Sequence, residues 1–124
     1  MEIKVADKTI KYGLVADGTT TKTVYIFALP PGRYPIGFYA RVKTAFAGTT
    51  ALTVEVGVAG DTTRIVRKQV INRVGDLIPF FCASQFTDLQ AKTTAQEDVI
   101  ATFRGADLTL LSAGEIEFVA VYAE

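Results

Sequence analysis

Apolar and polar residues alternate at strand length along much of this chain, and that rhythm limits the possible folds more than any other feature. Over residues 34–46, Ile36, Phe38, Ala40 and Val42 fall on one face while Tyr39, Arg41 and Lys43 fall on the other. Leu52, Val54, Val56 and Val58 repeat the pattern against Thr53, Glu55 and Gly57. Over residues 115–123, Ile116, Phe118, Ala120 and Tyr122 take one side, and Glu115, Glu117, Val119 and Val121 take the other. Successive side chains on a pleated strand point to opposite faces, so each stretch reads as a strand with one face on a core.

Further strands are predicted at 9–14, 21–29, 63–71 and 76–82, with fragments at 99–103 and 108–111. Asp17-Gly18, Pro30-Pro31-Gly32, Ala47-Gly48-Thr49 and Gly60-Asp61 supply the reversals between them. Residues 83–98 break the rhythm. Ser84 could cap a short helix running through Gln90, and a connection of this length is uncommon and often functional. The pattern predicts an all-β, two-sheet antiparallel sandwich of about eight strands, jelly-roll-like. Alternation does not determine strand order, and immunoglobulin-like or barrel orders satisfy it equally well.

With 124 residues, 49% of them hydrophobic, the chain has the length and apolar content of one folded domain spanning 1–124, with 83–98 as an insertion. Thirteen Lys and Arg balance thirteen Asp and Glu. A neutral chain has no long-range field to gather a polyanion, so nucleic acid is not an expected partner. Low charge also offers little repulsion against stable contact with other protein. No run approaches the ~18 apolar residues of a membrane span, and the first residues lack the apolar stretch of a secretory signal. The single cysteine, Cys82, sits in an apolar run and reads as a buried thiol. These features predict synthesis in a cytosol and a core that stands without crosslinks.

Catalytic equipment is sparse. The absence of histidine excludes Ser-His and Cys-His nucleophilic chemistry, and Ser84 and Ser112 have no motif around them. Carboxylates occur at Asp61, Asp76, Glu97, Asp98, Glu115 and Glu117; Glu115 and Glu117 share a strand face, which reads as a solvated surface. One cysteine and no histidine make zinc improbable, and the Asp17-Gly18 and Gly60-Asp61 pairs are ordinary turn residues rather than a calcium loop. No glycine-rich phosphate loop is present. The chain is therefore expected not to be an enzyme and to use no cofactor or metal. Its candidate functional residues are protein contacts. Arg64, Arg67, Lys68 and Arg73 form the densest charge cluster, suited to guarding a strand edge or meeting an acidic protein surface. Val119 and Val121 place apolar side chains on the outward face of the last strand, which predicts a covered face.

Residues 45–66, reading AFAGTTALTVEVGVAGDTTRIV, resemble a family of small structural proteins of tailed bacteriophages. The approach Ile26-Phe27-Ala28-Leu29-Pro30-Pro31-Gly32 is similar to the family's apolar strand and Leu-Pro-x-Gly entry. The segment Leu111-Ser112-Ala113-Gly114-Glu115-Ile116-Glu117-Phe118 is similar to its closing strand. The resemblance implies a β-sandwich or jelly-roll virion component, made in the host cytoplasm and placed on the capsid surface. There it would decorate or cement the shell by binding the major capsid protein, commonly as a homotrimer. The family has no catalytic residues to carry over. An alternative reading is a host-receptor or carbohydrate-binding module of a fibre or tail, with Tyr12, Tyr25, Tyr34 and Tyr39 as stacking faces.

Overall fold

The computed structural model describes residues 3–29, 34–76 and 97–123. Its strands are β1 (Ile3–Lys11), β2 (Thr21–Leu29), β3 (Tyr34–Ala47), β4 (Thr53–Val58), β5 (Asp61–Val70), β6 (Gly75–Asp76), β7 (Glu97–Arg104) and β8 (Ala113–Ala123). Their pairing is nested. β4 pairs with β5, β3 with β6, β2 with β7 and β1 with β8, all antiparallel. The chain is thus one long hairpin, doubled at the β4–β5 turn and rolled up. Rolling brings β3 beside β8 and β4 beside β7, giving two four-stranded sheets with orders β1-β8-β3-β6 and β2-β7-β4-β5. That order is the jelly roll, which settles the topology that alternation leaves open.

The inner faces follow the predicted register. Phe38, Ala40 and Val42 of β3 and Ile116, Phe118 and Ala120 of β8 are buried against Val54 and Val56 of β4 and Val99, Ala101 and Phe103 of β7. Five phenylalanines form a connected row between the sheets. Ring centroids lie 6.1 Å apart for Phe27–Phe38, 6.2 Å for Phe38–Phe118, 6.5 Å for Phe118–Phe103 and 5.9 Å for Phe103–Phe46. The rings are tilted or edge-on to one another, the arrangements that aromatic quadrupoles favour.

Four local expectations are corrected. The strand predicted at 9–14 starts earlier, at Ile3, and gives way at Tyr12 to a single helical turn, α1 (Tyr12–Val15), whose Val15 is fully buried. Its first half escapes alternation because Lys4, Ala6 and Lys8 share the core-facing parity of Ile10. β1 is an edge strand, and lysines on an edge discourage pairing with another chain. The fragment predicted at 108–111 is instead a 3-10 turn over Leu108–Leu110. The Asp107 carboxylate accepts from the Thr109 N–H at 3.1 Å and caps it. The insertion predicted at 83–98 ends sooner, since Glu97 and Asp98 already belong to β7; of the run predicted at 76–82 only Asp76 falls in a described strand, and residues 77–82, including Cys82, and 83–96 lie outside the described residues.

The fourth correction concerns β4. Alternation puts Glu55 and Gly57 on a wet face, yet both are buried. Against β4, β5 carries extra residues: its register shifts between Val54 and Val56 and again between Val56 and Val58. The second bulge folds the Asp61–Thr62 backbone over the outer side of Gly57, where a Cβ would collide with the Asp61 and Thr62 carbonyls. Gly57→Ala is therefore expected to lower stability by about 2–4 kcal/mol, read as a shift of the urea midpoint. Gly13→Ala, with open space around the site and no positive φ, is expected to stay within about 0.5 kcal/mol of the parent.

Candidate interaction surfaces

The outer face of the first sheet is set by the β1–β8–β3 register. Across the three strands Val5, Val121 and Gly37 line up; then Asp7, Val119 and Tyr39; then Thr9, Glu117 and Arg41. β8 is the middle strand of this trio, so its outward side chains lie between those of its neighbours. Val119 is only 7% exposed and Val121 is half-buried, whereas Ile3 is 53% and Val5 66% exposed. The apolar face predicted from Val119 and Val121 exists, but the residues that present it to solvent are Ile3, Val5 and Tyr39. The signal for two of them is the Ile3-x-Val5 spacing, interrupted by Lys4. Toward the other end the face turns polar: Lys43 Nζ lies 3.7 Å from Glu117 Oε2.

The basic residues sit elsewhere. Arg67 and Lys68 are exposed on β5, the edge strand of the second sheet, and Arg73 is exposed in the link to β6. Arg64 lies on β5 too, its side chain outside the described residues. The predicted contact residues therefore do not form one surface: Val119 and Val121 lie on the first sheet, Arg67 and Lys68 on the edge of the second, and Arg73 in the link to β6.

Arg67 and Lys68 together oppose the single residue Glu55, because the first β5 bulge falls there. Glu55 is a residue that alternation missed. It is 5% exposed; its Oε1 accepts from Arg104 Nε at 2.8 Å and its Oε2 from Thr62 Oγ1 at 2.6 Å. Burial alone pushes the carboxyl's pKa up. The Thr62 hydroxyl, the Arg104 guanidinium and the nearby Lys68 charge outweigh it, and the pKa lies below its ordinary value. The buried hydroxyls of Thr53 and Thr102, strand neighbours of Arg104 and Glu55, have no hydrogen-bond partner among the described residues. This network ties β4, β7 and the β5 bulge together, and it commits Lys68 in part to its own chain.

A third feature is an open groove of about 300 Å³ at the end of the first sheet, lined by Lys11, Tyr12, Thr44, Ser112, Gly114 and Glu115, with Ala113. Glu115 and Glu117 share an outer face as predicted, facing Lys11 and Thr9 in register. Among the described residues no group of three His, Cys, Asp or Glu side chains could hold a metal ion. The tyrosines do not form one platform. Tyr12 borders the groove, Tyr39 lies on the outer face of the first sheet, Tyr25 is exposed on the edge strand β2, and the Tyr34 side chain is outside the described residues.

No family model matches the chain, and no curated protein does. Solved structures share its fold over nearly its full length. It is similar to a chain of the cyanophage Pam1 capsid asymmetric unit, with 18% identity, TM-score 0.66, and coverage of 97% of this chain and 83% of that one. It is similar to a chain of the capsid of Ralstonia phage GP4, with 14% identity, TM-score 0.65, and coverage of 99% and 84%. A chain of the acid-stable capsid of the Helicobacter pylori bacteriophage KHP30 shares 13% identity at a TM-score of 0.53, with coverage of 97% and 86%.

The Glu55 network generates a pH prediction. A carboxylate whose folded pKa is depressed contributes stability in full above its unfolded pKa, about 4.3. That contribution is lost as pH falls through the lower folded value. Glu55→Gln is expected to cost about 1–2 kcal/mol near neutral pH, discounted because Arg104 is partly solvated. The gap between parent and variant urea midpoints is expected to close as the buffer is taken from about pH 7 to about pH 3.

Proposed function

We propose that this chain is a phage virion protein that decorates or cements the capsid by binding the major capsid protein lattice. The observation that carries the reading is the near-complete overlap of its fold with chains of three phage capsids. The surfaces support it. A cement protein needs a rigid β core and adhesive faces, with no reaction centre. This chain offers an apolar patch around Ile3, Val5 and Tyr39 on one sheet and the exposed basic pair Arg67 and Lys68 on the edge of the other. Binding only the assembled lattice stabilises that lattice by mass action.

In this reading the protein is made in the host cytoplasm, sits on the capsid surface and associates as a homotrimer. The apolar patch supplies the subunit contact, and the β5 arginines and lysine select the capsid partner, since charged rims choose partners more than they add affinity. Mass spectrometry of purified particles is expected to find the chain at a copy number set by the capsid lattice; its absence from particles would end the proposal. Light scattering is expected to give three times the 13.4 kDa chain mass. Val5→Lys, on an exposed site, is expected to reduce this to the monomer, with Val121→Lys a weaker disruptor. A monomeric parent would move the apolar contact from the subunit interface to the shell.

A further inference from the structure

The groove at the end of the first sheet is built into the backbone. β3 shifts register there twice, between Val42 and Thr44 and between Thr44 and Ala47, and the second residue of β8, Gly114, has φ +146°. A side chain at Gly114 would run into the ring of Phe46, which is buried in the core and belongs to the phenylalanine row. Core packing therefore holds the floor of the groove in place, and bulges of this kind recur beside binding sites because they re-aim side chains.

Its walls hold side-chain groups with nothing to bind. Lys11, Tyr12, Thr44 and Glu115 engage in no side-chain hydrogen bond or ion pair among the described residues, and Ser112 Oγ has only a long 3.5 Å contact to the Ala47 carbonyl. Tyr12 is 39% exposed and Glu115 is half-buried. One lysine facing one glutamate cancels, which disfavours an anion. A single carboxylate cannot cage a cation. The walls are largely carbon surface with a few polar groups set into it, which suits a guest that has both an apolar face and hydroxyls over one that is purely apolar or purely polar. What remains is a neutral, polyhydroxylated ligand. The carboxylate accepts from two hydroxyls, the ammonium donates, Thr44 and Ser112 do either, and an aromatic ring borders the C–H face of a sugar. About 300 Å³ is the lower limit of small-molecule sites and suits a single ring.

We infer that this groove binds one pyranose unit of a carbohydrate, through Tyr12, Glu115 and Thr44. Open on one side, it binds a free sugar with a Kd in roughly the millimolar range. The test is an amide NMR titration of the full chain with the methyl glycosides of glucose, galactose and N-acetylglucosamine. Dextran and a galactan serve as polymer arms. At least one sugar is expected to give saturable shifts at Tyr12, Gly114 and Glu115. Tyr12→Ala and Glu115→Gln, checked for an unchanged β-sheet circular dichroism spectrum, are expected to weaken binding by about 10-fold or more. Tyr25→Ala, an exposed tyrosine away from the groove, is expected to bind as the parent does. Tighter binding of a polymer than of its monomer would identify a polysaccharide as the source, and equal affinity a free sugar. Absence of saturable shifts with every probe, or undiminished binding in both groove variants, would overturn the inference.

Discussion

The contact on which the rest of this structure depends is the row of phenylalanine rings between the sheets. Phe38, Phe46 and Phe118 come from one sheet, Phe27 and Phe103 from the other, and each touches the next across about 6 Å. Backbone hydrogen bonds hold each sheet together but join the two only at the margin, where the Phe46 N–H donates to the Ile71 carbonyl at 3.0 Å among the described residues. Packing of the inner faces does the rest, and aromatic rings bury more area per residue than any aliphatic side chain. The row also reaches the periphery. Phe46 presses against Gly114 and so shapes the groove at the sheet's end.

Around β4 a polar device complements the apolar one. β5 is longer than its partner requires, and the excess is absorbed in two bulges that cover Gly57 and Glu55. Covering a carboxylate is costly unless it is paired, and Arg104 and Thr62 pair it. A half-solvated ion pair of this kind adds little net stability over apolar packing, but leaving the covered Glu55 unpaired is costly, so the register that pairs it is favoured over its neighbours. Here the arrangement selected is the bulged register of β5, which decides where Arg67 and Lys68 emerge.

Much of the fold was legible in the residue pattern, for a physical reason. Phe38-Ala40-Val42 and Ile116-Phe118-Ala120 lie on strands with one wet face, so period-2 alternation survives in the sequence. β1 was half-missed because an edge strand guards itself with Lys4 and Lys8 at the parity of Ile10, which erases that alternation. Alternation assigns Glu55 to a solvated face because its burial comes from a bulge in a different strand, and no local signal encodes that. Strand order was invisible for the same reason, since pairing partners such as β1 and β8 are separated by nearly the whole chain. Of the predicted contact residues, Val119 and Val121 lie on the face that Ile3, Val5 and Tyr39 present to solvent, whereas Arg67 and Lys68 emerge on the edge of the opposite sheet.

The nested pairing has a kinetic consequence. β8 is the middle strand between β1 and β3, and its partners reach from Ile3↔Ala123 to Lys11↔Glu115. The first sheet cannot close until residues 113–123 have been synthesised and have left the ribosome. Until then β1 and β3 each lack their main partner, and the apolar faces of both wait uncovered. Contacts this distant in sequence must overcome a large loop-closure entropy before any of them forms, which places the chain among slow folders. A chain interrupted before β8 would be left with unpaired strands and a half-built core, the kind of species that aggregates. Closure of the first sheet therefore arrives all at once, with β8.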